Sequence, residues 1–85
     1  MDCLALLDSG NFAYKLCSIF EKKGYIFEVV STPCHIAKDG CGYCIKFPAE
    51  FKELLVSEGI KNKTPIREIY KIIPAYKKNK YEKIY

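Results

Sequence analysis

The apolar residues of this chain change period in a fixed order, and that order restricts the fold more than any other feature of the sequence. Residues 3–7 form a short apolar run suited to a strand buried in a sheet. Asp8-Ser9-Gly10-Asn11 follows, a turn rich in residues that cap helix N-termini. Phe12, Ala13, Leu16, Cys17 and Phe20 then recur at helical spacing, with Lys15, Glu21 and Lys22 opposite them. Gly24 stands where a helix takes a left-handed C′ residue. Residues 25–30 are aromatic and β-branched and predict a second strand. Tyr43, Ile45 and Phe47 alternate with Cys44 and Lys46, the period of a third strand. Pro48 suits a first helical turn, Phe51, Leu54 and Leu55 line a second helix, and Gly59 falls at its end. Asn62-Lys63-Thr64-Pro65 is a linking turn, residues 66–73 are a last strand, and Pro74 stops it.

The predicted order is β-α-β-β-α-β. It implies an α+β, ferredoxin-like sandwich, with a four-stranded antiparallel sheet and two helices on one face. Residues 1–74 form the single domain, and residues 75–85 are a basic Lys/Tyr-rich tail. With 85 residues there is no room for a second core. Both alternating sets in the first and last strands are apolar in places, so the sheet face away from the helices needs a cover. The tail or a second copy of the chain supplies it, and a homodimer through the open sheet face is one expected partner.

The chain has five cysteines and no signal peptide ahead of its first apolar run, which is too short to span a bilayer. An odd number of cysteines argues against a disulfide framework and places the protein in a reducing cytoplasm. The net charge of +4 lies mostly in the tail, where Lys77, Lys78, Lys80 and Lys83 stand against Glu82. Tyr76, Tyr81 and Tyr85 among those lysines could stack on single-stranded nucleic acid. The near-neutral body offers no second basic patch, so neither nucleic acid nor a membrane is an expected partner.

Three cysteines and the single histidine fall between Thr32 and Phe47, in TPCHIAKDGCGYCIKF. One reading is a zinc site made by Cys34, His35, Cys41 and Cys44, which are the right ligand types. Its weaknesses are the adjacency of Cys34 and His35 and the lack of a second Cys-x-x-Cys pair. A dithiol pair Cys41/Cys44 is disfavoured. Three extended residues hold the Cα atoms about 10 Å apart, against a limit of about 7 Å for a bridge.

A third reading is a single working thiol at Cys41. It is flanked by Gly40 and Gly42, which let backbone amides approach, and Lys38 and His35 are near enough in sequence to favour a thiolate. Packing of Cys41 into the core is the alternative. For Cys3 and Cys17, packing on apolar faces is the better reading, and Cys44 leans the same way. No pair of carboxylates converges, and His35 is the sole imidazole, so turnover chemistry by a general acid and base is not expected.

The chain resembles a small bacterial family of selenium/sulfur carrier-like proteins. The likeness rests on the short first strand, the helix around Ala13 and Leu16, and the Gly24 hinge. It extends through the Thr32-Pro33 loop, the Cys41-Gly42 pair entering the strand at Ile45, and the late Ile69-Tyr70 strand. Its most specific element is Pro33 followed eight residues later by Cys41-Gly42. The resemblance implies a carrier that needs no cofactor and takes sulfur or selenium on Cys41 for transfer between donor and acceptor proteins; Pro33, and by their nearness to Cys41 in this sequence His35 and Lys38, are the expected support of the loop. This chain departs from the family at Cys34-His35, where a basic and then an acidic residue are usual. It departs again at Cys44, where a small residue is usual, and at Asp39-Gly40, which lengthen the loop. These changes count against an anion-binding role of the loop and add weight to the alternative of a lineage-specific metal site.

Overall fold

A computed structural model of the chain describes residues 1–37 and 42–85. In chain order the elements are β1 (Asp2–Leu6), α1 (Gly10–Lys22), β2 (Glu28–Ser31), β3 (Tyr43–Pro48), a 3-10 turn (Ala49–Phe51), α2 (Lys52–Lys61), β4 (Glu68–Ile73) and β5 (Lys80–Lys83).

Helix α1 is fixed at both ends by its sequence. The Ser9 side chain accepts a hydrogen bond from the Phe12 N–H at 3.2 Å and satisfies one of the amides left open at a helix start. At the other end the Tyr25 N–H donates to the Phe20 carbonyl and the Gly24 N–H to that of Glu21, with Gly24 at φ 92°. This is the Schellman arrangement, and its usual apolar contact is present as the Tyr25 ring edge-on to Phe20. It also explains why β2 begins at Glu28 and not at residue 25 as predicted. The Tyr25 amide is spent on the helix stop, and Tyr25 and Phe27 turn inward against Phe20 and Phe51.

The sheet order is β2-β3-β1-β4-β5, and every neighbouring pair is antiparallel. The expected four strands are therefore five. Part of the Lys/Tyr-rich tail forms β5, with Tyr81 opposite Ile72 and Lys83 opposite Tyr70. An edge strand guarded by Lys and Glu carries little apolar alternation, so its period was hidden in a charged segment.

Alternation along the strands gives the sheet two apolar faces. Cys3, Ala5, Ile45, Phe47 and Ile69 point to one face and pack with Ala13, Leu16 and Phe20 of α1 and Leu55 of α2. The opposite face has its own cluster of Leu4, Cys44 and Ile36, joined by Leu6, Val30, Tyr70, Ile72 and Tyr81. Of the two expected covers, the tail contributes Tyr81. Ile36, from the loop between β2 and β3, is a further cover that the sequence reading did not anticipate.

Gly59 lies inside α2, which runs on to Lys61, and does not end the helix as expected. The Thr64 carbonyl oxygen lies only 2.8 Å from where a Cβ would stand, so the glycine is there for close packing. The left-handed residue after this helix is instead Lys63, at φ 60°. Gly59→Ala is expected to destabilise the protein by about 1–3 kcal/mol through overpacking. Lys63→Gly should stabilise it by about 0.5–1 kcal/mol by relieving a side chain from a glycine conformation. Urea denaturation of both variants checks this.

A second link joins the helices. Lys23, just after α1, lies 3.1 Å from the Glu58 carboxylate of α2. That hydrogen-bonded ammonium holds the Glu58 pKa below the usual carboxylate range. A depressed folded pKa gives stability that is present above the unfolded pKa and lost as pH falls through the folded one. Glu58→Gln should accordingly lower the melting temperature slightly at neutral pH. Its difference from wild type should vanish in acid.

Candidate functional site

The candidate site is the excursion between β2 and β3. Its base is closed by the Thr32 N–H donating to the Gly42 carbonyl at 2.7 Å, one step beyond the Ser31–Tyr43 pair of the ladder. From there the chain turns at Cys34-His35-Ile36, where the Pro33 carbonyl accepts from the amides of both Ile36 and Ala37 at 3.1 Å. The turn drives Ile36 down onto Leu4 and Cys44 on the helix-free face. It leaves Cys34 and His35 exposed above it. The His35 ring stands 5.1 Å from the ring of Tyr81 on β5. Lys38, Asp39, Gly40 and Cys41, to which the sequence reading assigned the central thiol and its support, lie outside the described residues.

The cysteines among the described residues divide into two kinds. Cys3, Cys17 and Cys44 are free thiols. Cys3 lies in the main core and Cys44 in the second cluster, both fully buried. Burial pushes the pKa of each upward. For Cys44 the Thr32 side chain donates a hydrogen bond that acts the other way but does not win. Cys17 is half-buried on α1, and burial, helped by the neighbouring Glu21 charge, raises it to about 11. All three behave as small apolar residues, as their spacing implied. Cys34 differs from them: it is exposed and disulfide-bonded. The odd cysteine count hid that, because it does not preclude one bridge beside free buried thiols.

Of the proposed zinc ligands, the described residues place Cys34 and His35 on top of the turn and Cys44 beneath Ile36. Among the described residues, no three His, Cys, Asp or Glu side chains are grouped so as to hold a metal ion.

One ionic feature escaped the sequence reading. Glu68 of β4 is buried on the same face as the turn. Its carboxylate accepts the Tyr70 hydroxyl at 3.1 Å and pairs with Lys83 of β5 at 3.1 Å. A buried carboxylate is tolerated only when paired and hydrogen-bonded. The available signal was Glu68 standing in step with Tyr70 and Ile72, where a lone charge interrupts an otherwise apolar alternation. Gly42, at the loop's exit, is exposed, and a Cβ there would meet only open space. Beside it the rings of Tyr43 and Tyr14 lie 6.0 Å apart, both about half exposed.

A family model described as "Putative Se/S carrier protein-like" matches residues 2–71. The chain belongs to that family. Comparison with curated proteins and with solved structures found no match. Among the described residues, no helix is long and apolar enough to cross a membrane.

The thiolate is the reacting form of cysteine. At pH 7 a pKa of about 11 leaves about one Cys17 in ten thousand ionised, against a few per cent for a free cysteine. Brief iodoacetamide treatment of the native, reduced protein should therefore leave Cys3, Cys17 and Cys44 unmodified. All three should label once urea unfolds the chain, as read by peptide mass mapping.

Proposed function

We propose that the protein is a sulfur or selenium carrier and that Cys41 is its carrier thiol. The observation that carries this reading is the fate of the free thiols among the described residues. Cys3, Cys17 and Cys44 are packed away with raised pKa values, so carrier chemistry falls to the loop. The family match supports the activity, and the Pro33 to Cys41-Gly42 spacing supports the residue. The strand order β2-β3-β1-β4, with two helices on one face, supports a ferredoxin-like assignment with β5 added at the edge.

The reaction is a thiol–persulfide exchange. The Cys41 thiolate attacks the terminal sulfur of a donor persulfide, the donor's S–S bond breaks, and the donor leaves as a thiolate with the electron pair. Cys41 then holds an S–SH group and passes its outer sulfur to an acceptor nucleophile by the same step in reverse. No metal or organic cofactor takes part. Because Gly42 presents bare backbone to solvent beside Cys41, donor and acceptor proteins can approach closely there. A reducing cytoplasm suits the cycle, since it keeps the thiol available between transfers.

Incubation of the reduced protein with cysteine and a cysteine desulfurase should give an adduct one sulfur atom heavier by intact mass, and a Cys41→Ser variant should not. An equal adduct on that variant would assign the sulfur to another residue.

A further inference from the structure

We propose that the part of the helix-free sheet face left open by the Ile36 turn binds a free α-amino acid with an apolar side chain. The turn seats Ile36 on Leu4 and Cys44. Beside that cover, where β1 begins and β4 ends, lies a cavity of about 430 Å³. It is lined by Met1, Asp2, Lys46, Ile72, Pro74 and Asn79. Its volume falls within the range of small-molecule sites. All six residues lie outside the β2–β3 loop, so the proposal does not depend on the carrier reading of Cys41.

The topology builds the cavity from distant parts of the chain. Asp2 opens β1, and the register that sets Cys3 against Lys71 runs on to bring Asp2 beside Ile72. Lys46 of β3 projects from the helix-free face, because it alternates with Ile45 and Phe47 of the helix-side core. Pro74 has no N–H with which to extend the β4 ladder. The chain therefore runs through residues 74–79 before it pairs again at Lys80. Pro74 and Asn79 stand at the two ends of that connection and form one wall.

The charges fit a zwitterion. The Lys46 ammonium lies 3.9 Å from the Asp2 carboxylate, too far for a full hydrogen bond. Their side chains are 39% and 49% exposed, so each keeps hydrogen-bonding capacity for a ligand. An α-amino acid carries its ammonium nitrogen about 2.5 Å from its carboxylate carbon. Laid antiparallel over the pair, it sets its carboxylate on Lys46 and its ammonium on Asp2, so that charges alternate in sign. A lone carboxylate would meet repulsion from Asp2, and a lone amine would meet it from Lys46. A dipeptide separates its terminal charges by roughly 3.5 Å more and matches the pair poorly. Asn79 adds an amide with both donors and an acceptor. Ile72 and Pro74 supply apolar surface for the ligand's side chain.

The test is titration of the isotope-labelled full chain with L-leucine, followed by amide chemical shifts. Saturable shifts are expected at Asp2, Lys46, Ile72 and Asn79, with weak affinity because the charges are partly exposed. Isocaproate, which lacks the ammonium, and isopentylamine, which lacks the carboxylate, should each bind at least about tenfold more weakly. Glycine and leucyl-leucine should also bind more weakly than leucine. In Asp2→Asn the preference for leucine over isocaproate should disappear. In Lys46→Met the preference over isopentylamine should disappear. Both are surface positions, and the same spectra report whether each variant is folded. Absence of saturable shifts at these residues with leucine would overturn the proposal. Equal binding of leucine and isocaproate by wild type would also overturn it, reducing the site to an anion contact at Lys46. Discrimination retained in both variants would do the same.

Discussion

The sheet has two apolar faces and helices for only one of them, and the arrangement of the site follows from that imbalance. Helices α1 and α2 bury Cys3, Ala5, Ile45, Phe47 and Ile69. Leu4, Leu6, Cys44, Tyr70 and Ile72 on the other side would otherwise meet water over a contiguous patch. The β2–β3 connection meets this need by folding back across the face and planting Ile36 in it. A connection made only to reverse the chain would be short. This one is long because it also packs.

The same packing sorts the cysteines. A thiol pointing at either apolar face loses hydration of its thiolate and its pKa rises, as at Cys3 and Cys44. The turn that buries Ile36, closed by the hydrogen bonds to the Pro33 carbonyl, presents Cys34 and His35 to solvent. Burial of Ile36 and exposure of Cys34 and His35 are thus two results of a single turn.

Much of this was legible beforehand, because it depended on local rules. Ser9 and Gly24 mark the ends of α1 through capping chemistry that spans only a few residues. The alternation in β1, β3 and β4 is set by neighbours of the same strand. What was not legible involves contacts between residues far apart in sequence. Gly59 reads as a helix end until the Thr64 carbonyl is placed beside it. Lys80–Lys83 reads as a solvated tail until it is paired with β4. Glu68 reads as one more surface acid, although Lys83 and Tyr70 hold it in the interior. At the loop, the residue types and the Pro33 to Cys41 spacing were visible. The Thr32–Gly42 clamp and the bonded state of Cys34 were not, since neither leaves a periodic trace.

The tail strand and the loop belong together physically. The family match ends at residue 71, yet two of the side chains that line the loop's face, Tyr81 and Lys83, lie beyond it. Tyr81 packs into the second cluster and also meets the His35 ring. Lys83 supplies the cation that lets Glu68 stay buried beneath the same region. The Cys34-His35 turn is therefore braced by a strand that lies outside the matched residues.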